Sequence, residues 1–136
     1  MSHINDRVFC QDCFGHISKA QTLLRECHHS PCYADQYERI SFQFSALMSE
    51  AQASRLDVLA HYAQAMASYA RYLSSKDPAQ ISQPEQKLLQ DGIDVGLGCQ
   101  QGAIDDKCIE QNFDHLWPFI SKLRAQIASG ETVHSF

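Results

Sequence analysis

Six cysteine and histidine side chains in the first quarter of the chain have the types and spacing to bind a metal ion. Zinc in proteins takes four ligands, commonly thiolates and imidazoles, and a Cys-x2-Cys pair places two thiolates near one point. The residues that fit this chemistry, which we call the N-terminal corner, are Cys10, Cys13, Cys27, His28, His29 and Cys32. We therefore expect either zinc or no cofactor at this corner.

The cysteines of the N-terminal corner also fit an apolar role. Cys10, Cys13 and Cys27 continue the apolar stripe of a predicted first helix, and free cysteine is among the most frequently buried residues. Along a straight helix Cys13 and Cys27 would lie about 21 Å apart. One ion can therefore join them only if the helix breaks, for example at Gly15.

Cys32 is the best candidate for a reactive thiol. It follows Ser30-Pro31, a typical start of a helix, and the unpaired N–H groups of a first helical turn favour a thiolate. Cys27 lies just across the predicted turn, where it could serve as the resolving thiol. The pair Cys27 and Cys32 predicts a thiol redox function as an alternative to zinc binding.

The segment His16-Ile17-Ser18-Lys19-Ala20 resembles the H-x-x-K-G/A motif of histidine phosphotransfer domains over five residues. Members of that family are small four-helix bundles in which an exposed histidine accepts a phosphoryl group and a lysine helps to neutralise its charge. The resemblance implies a phosphorelay function as a further alternative, with His16 as the acceptor and Lys19 beside it.

The elements that carry these residues are predicted to be helices, because apolar residues recur every three or four positions. Nothing alternates with period two, so the predicted class is all-α. The second stripe loses its phase near residues 50–54, where Ser54 and Asp57 could form a capping box. Stripe residues in the first three helices include Ile17, Ala20, Leu24, Tyr37, Ile40, Phe44, Leu47, Leu59, Met66 and Leu73.

The second half of the chain is predicted to hold two more helices. Residues 74–83 are predicted to form a loop. The next helix is predicted to begin with a capping box of Ser82 and Glu85, with Pro84 in its first turn. A last helix begins at Asp105 or Asp106, is kinked near Asp114 by Pro118, and ends at Gly130. We expect one domain over residues 1–136, an up-down four-helix bundle with an additional short or broken helical segment and a loose tail over residues 130–136.

Tyrosines widen the apolar surface of the predicted third helix. Such a helix lies either at the centre of the bundle or at an interface, and central burial is favoured. The residues assigned to the interface alternative, which includes a homo-oligomer, are Tyr62, Tyr69, Tyr72 and Trp117.

Charge and motif content narrow the function. The 136 residues include 11 Lys+Arg and 16 Asp+Glu, a net charge of −5, which disfavours nucleic-acid binding. The chain has neither a run of about 18 apolar residues nor an apolar signal segment, so we expect a cytosolic protein outside membranes with reduced thiols. Sequence motifs for phosphate loops, serine hydrolases and zinc proteases are absent. The leading prediction is a non-enzymatic regulatory or adaptor protein that binds another protein.

Overall fold

The computed structural model describes residues 15–26, 33–53, 55–77, 81–104 and 116–134. These residues form five helices and no strand, so the predicted all-α class is confirmed. The helices are α1, described over residues 15–26, α2 (Tyr33–Ala53), α3 (Asp57–Ser74), α4 (Gln83–Ile104) and α5 (Trp117–His134). Within these ranges, no helix has the length and apolar character needed to cross a lipid bilayer.

Helices α2 and α3 pack side by side and run in opposite directions. Phe44 packs edge-on against Tyr62, with the ring centroids 5.9 Å apart. One turn nearer the start of α2, the Ser41 hydroxyl donates a 2.9 Å hydrogen bond to the Ala67 carbonyl oxygen. Contacts that move back along α2 therefore move forward along α3, as in an antiparallel pair.

Helices α3 and α4 are antiparallel for the same reason. The Tyr62 hydroxyl donates a 2.6 Å hydrogen bond to the Gly92 carbonyl oxygen, and the Tyr69 hydroxyl donates one of 2.9 Å to that of Glu85. Both tyrosine side chains are fully buried. A buried phenol requires a hydrogen-bond acceptor. These two bonds therefore offset the free-energy cost of removing the tyrosine hydroxyls from water.

Helix α3 lies at the centre of the fold. It contacts α2, α4 and α5, and side chains around most of its circumference are buried. Its buried residues are Leu59, Ala60, Tyr62, Ala63, Ala65, Met66, Ala67, Tyr69, Ala70 and Leu73. The prediction of a centrally buried third helix is confirmed.

The break between α2 and α3 is a sharp turn around Arg55, just beyond the predicted residues 50–54. Arg55 has a left-handed backbone with φ 60°. Its N–H donates to the Gln52 carbonyl oxygen at 3.1 Å, and the N–H of Leu56 donates to that of Ala51 at 2.9 Å. This pair of bonds is the Schellman motif that ends many helices, with arginine where glycine is usual.

The start of α3 differs from the prediction. Leu56 is the N-cap, with no side-chain capping hydrogen bond, and Asp57 is the first helical residue. The predicted capping box of Ser54 and Asp57 is therefore wrong, because that box requires the acidic residue two positions further into the helix.

The loop between α3 and α4 is closed by the predicted capping box. The Ser82 N–H donates to the Glu85 carboxylate at 3.0 Å, and the Glu85 N–H donates to the Ser82 hydroxyl oxygen at 3.2 Å. The Lys76 ammonium also binds the Glu85 carboxylate, at 2.7 and 2.9 Å. It lies 5.4 Å from the centre of the Tyr72 ring as well, so the loop is held from both ends.

Glycines let three other helices approach α4 closely. A Cβ atom added at Gly92 would lie 2.8 Å from the Phe119 ring of α5. One added at Gly96 would collide with the Tyr62 hydroxyl of α3 and lie 3.0 Å from Ile17 of α1. The helix continues past both glycines to Ile104, so these glycines allow close packing between helices and do not end the helix.

Helix α5 differs from the predicted last helix at its end. Pro118 occupies the first turn, where its missing N–H costs nothing, and the predicted kink near Asp114 lies outside the described residues. The helix runs through Gly130 to His134, so the predicted end at Gly130, with a loose tail directly after it, is wrong. A glycine ends a helix when it adopts positive φ, and no described glycine does so.

Candidate functional site

The N-terminal corner lies outside the described residues. Its zinc residues Cys10, Cys13, Cys27, His28, His29 and Cys32, and with them the redox pair Cys27 and Cys32, therefore remain predictions. In the part of the chain that the structure describes, no group of three or more His, Cys, Asp and Glu side chains is arranged to hold a metal ion.

His16 lies in the contact between α1 and α2, where its side chain is 19 % exposed. Its Nδ1 atom is 3.0 Å from Gln43 Oε1, and its Nε2 atom is 3.3 Å from Glu50 Oε1. Gln43 and Glu50 are seven residues apart, about two helical turns, and so share the face of α2 next to α1. Both ring nitrogens of His16 are thus directed at oxygen atoms of the neighbouring helix.

This arrangement bears on the phosphotransfer alternative. A phosphoryl acceptor needs a ring nitrogen that an incoming phosphate group can reach, whereas both His16 nitrogens face α2. A carboxylate 3.3 Å from Nε2 also repels an incoming anion. Lys19 is exposed on the next turn of α1. Neither ring nitrogen of His16 is therefore placed as the exposed acceptor that the phosphotransfer alternative requires.

Two of the predicted interface residues belong to the interior. Tyr62 and Tyr69 are fully buried with hydroxyls bonded to main-chain carbonyl oxygens, so neither side chain is available to a partner. Burial, together with the nearby Glu85 charge, raises the pKa of the Tyr69 phenol far above its usual value and keeps it a donor. Tyr72 is half-buried beside Tyr69. The interface assignment is thereby corrected for Tyr62 and Tyr69, because α3 is surrounded by other helices.

Trp117 is the predicted interface residue that reaches the surface, with 39 % of its area exposed. Its ring centre lies 5.3 Å from that of His61 on α3. Arg124 Nη2, about two turns further along α5, is 3.1 Å from His61 Nδ1. Because arginine only donates, His61 accepts at Nδ1, and the neutral imidazole carries its proton on Nε2. The cluster joins α3 to α5 at the surface.

Phe42 is an exposed aromatic residue that sequence reasoning missed. It lies on α2 with 61 % of its area exposed, whereas Phe44 two positions later is fully buried. The two side chains point about 200° apart around the helix, and the other residues on the outer face are polar or small, among them Glu38, Ser45 and Ser49. The signal was present in the sequence: a large aromatic side chain lies off the apolar stripe of its helix.

A shallow groove of about 290 Å³ runs between α4 and α5. It has lysines on both sides, Lys87 and Lys122, together with acidic Glu85 and Asp91, so its lining has no dominant sign of charge. The remaining lining residues are Ser82, Pro84, Leu88 and Gln126.

Comparison with known proteins identifies no relative. No protein-family model, no curated protein and no solved structure matches this chain.

Proposed function

We propose that this chain is a small regulatory or adaptor protein that acts by binding another protein. Its proposed architecture is an up-down four-helix bundle with an additional helical segment. The support is the antiparallel packing of α2 on α3 and of α3 on α4, together with the central place of α3. The cytosol is its proposed location.

The exposed Phe42 side chain carries the proposal. Phe42 adds nothing to the core, which α2 completes with Tyr37, Ile40, Phe44 and Leu47, yet it leaves a large apolar area in water. Exposed aromatic side chains are enriched among the residues that anchor protein–protein interfaces. Because its surroundings on α2 are small or polar, Phe42 projects from the helix, and we expect it to enter an apolar pocket of the partner.

Site-specific photo-crosslinking tests this function. A photoreactive residue replaces Phe42 in one sample and Gln64, an exposed polar residue of α3, in the other. We expect one protein to be captured from position 42 and not from position 64. Capture of the same proteins from both positions, or of none, would contradict the proposal.

The captured partner then allows a direct measurement of affinity. We expect Phe42→Ser to weaken binding by at least about tenfold, as loss of an interface anchor does, and Ser49→Ala on the same face to leave it unchanged. Because Phe42 lies outside the core, thermal unfolding of the Phe42→Ser variant should match that of the unmodified protein.

We also propose that the N-terminal corner binds zinc or senses redox state. Metal analysis of the freshly purified protein should find about one zinc per chain if it is a metal site. If instead Cys32 is a redox thiol with Cys27 as its resolving partner, Cys32 should react with alkylating reagents faster than the other cysteines. Metal-free protein with equally reactive thiols would contradict both roles.

A further inference from the structure

The cluster of His16, Gln43 and Glu50 brings an imidazole and a carboxylate together at the contact between α1 and α2. Nε2 of His16 and Oε1 of Glu50 are 3.3 Å apart. A charge-assisted bond between imidazolium and carboxylate is usually 2.7–2.9 Å long. The observed separation is longer than that but still within hydrogen-bond range.

The same separation fits two ligands of one metal ion. Zinc lies about 2.0–2.1 Å from a histidine nitrogen and about 2.0–2.2 Å from a carboxylate oxygen. In a tetrahedral arrangement, two such ligand atoms are about 3.3–3.4 Å apart. The Nε2 and Oε1 atoms are thus spaced like one edge of a zinc tetrahedron.

Gln43 prepares His16 for this role. When Nδ1 donates its proton to Gln43 Oε1, 3.0 Å away, the neutral ring keeps a lone pair on Nε2, the nitrogen that faces Glu50. Histidines that bind metals nearly always donate their other N–H to an oxygen in this way, which fixes the tautomer and the ring orientation.

The Glu50 carboxylate has a second feature that bears on cation binding. Its side chain as a whole is 42 % exposed, yet its Oε2 atom is buried and has no hydrogen-bond partner among the described residues. A buried carboxylate oxygen without a partner is costly in free energy. A cation bound at Nε2 and Oε1 would lie beside Oε2 and would neutralise the carboxylate.

We propose that His16 Nε2 and the Glu50 carboxylate bind a divalent transition-metal ion, zinc in the first instance, with Gln43 as the partner that orients His16. This site lies between α1 and α2 and uses none of the residues of the N-terminal corner. Water occupies the other coordination positions, so the ion remains open to an additional ligand.

Zinc titration of the full-length reduced protein, followed by calorimetry, tests the site. Glu50→Gln preserves the size of the side chain and removes the charge, and Glu38→Gln makes the same change on the exposed face of α2. We expect the Glu38→Gln variant to bind as many zinc ions as the unmodified protein, and Glu50→Gln and His16→Gln to bind one fewer. Gln43→Leu should weaken that binding event by about 10–100-fold.

This comparison distinguishes zinc bound at His16 and Glu50 from zinc bound by cysteines, because all variants keep the six thiols. Cobalt(II) provides a second readout: the absorption lost in Glu50→Gln should lack sulfur-to-cobalt charge transfer. Circular dichroism confirms that each variant is folded. The proposal is overturned if folded Glu50→Gln binds zinc with the same stoichiometry and affinity as Glu38→Gln, or if all bound cobalt has thiolate ligands.

Discussion

The Lys76 ammonium and the Glu85 carboxylate form a 2.7 Å ion pair between side chains that are only 13 % and 10 % exposed. The same carboxylate accepts hydrogen bonds from the main-chain N–H and the hydroxyl of Ser82. The main-chain carbonyl oxygen of Glu85 accepts a hydrogen bond from the Tyr69 hydroxyl. Glu85 thus joins the end of α3, the loop and the start of α4 in one network.

Replacing Lys76 by methionine should destabilise the protein by about 2 kcal/mol. The change leaves the Glu85 carboxylate without its cation, and loss of one partner from a fully buried pair costs about 3–5 kcal/mol; some residual exposure lowers the figure here. Urea unfolding monitored by circular dichroism gives the free energy. Lys87→Met, at an exposed position of α4, is the control and should change stability by less than about 0.5 kcal/mol. Equal losses in the two variants would refute a stabilising role for the ion pair.

Acid should weaken the protein through Glu85. Burial raises the pKa of this carboxyl, but the hydrogen bonds from Lys76 and Ser82 lower it by more, so its pKa in the folded protein lies below the usual 4.5. The resulting stability is fully present above the pKa of the unfolded chain and is lost as the pH falls through the lower folded value. We expect Glu85→Gln to be less stable at pH 7 and to lose less free energy of unfolding between pH 5 and about pH 3. If the free energy of unfolding of Glu85→Gln falls between pH 5 and about pH 3 as much as that of the unmodified protein, other carboxyls dominate the acid dependence of stability.

The glycines of α4 should respond to alanine in opposite directions. At Gly96 an added Cβ meets the Tyr62 hydroxyl and lies 3.0 Å from Ile17. Since Tyr62 is buried and bonded to the Gly92 carbonyl oxygen, it cannot move without losing that bond, and Gly96→Ala should cost about 1–3 kcal/mol. Gly98 has no atom within 4 Å of the added Cβ, so Gly98→Ala should stabilise the helix by up to about 1 kcal/mol. Thermal unfolding measures both, and a gain in Gly96→Ala would show that the helices can separate without penalty.

The sequence predicts the helices well where local chemistry decides their structure. The buried stripe residues Ile17, Ile40, Phe44 and Leu47 recur at helical spacing, and the capping box at Ser82 uses residues only three positions apart. The turn after α2 is different, because it places an arginine in a conformation that normally selects glycine. The exact position of this turn and its Schellman hydrogen bonds follow from the packing of two long helices. No residue type at the turn predicts them from the sequence.

The candidate sites depend on contacts between distant parts of the chain. His16 meets Gln43 and Glu50 because α1 and α2 pack in one particular register, and nothing near His16 in the sequence encodes that register. Central burial of the helix that carries Tyr62 was predicted, but the hydrogen bond from the Tyr62 hydroxyl to the Gly92 carbonyl oxygen depends on how α4 packs on α3. The exposure of Phe42 could be predicted from the sequence, since its position off the apolar stripe of α2 is a local property.

Replacing Arg55 by glycine should stabilise the protein. Arg55 has φ 60°, a backbone conformation that costs residues with a Cβ atom about 1–2 kcal/mol and that glycine adopts without strain. Part of the gain is offset because glycine also gives the unfolded chain more freedom, so we expect about 0.5–1 kcal/mol in urea unfolding. Gln64→Gly, at an exposed position inside α3, is the matched control and should lose about 1 kcal/mol. Losses of the same size in both variants would mean that the left-handed turn stores no strain at Arg55.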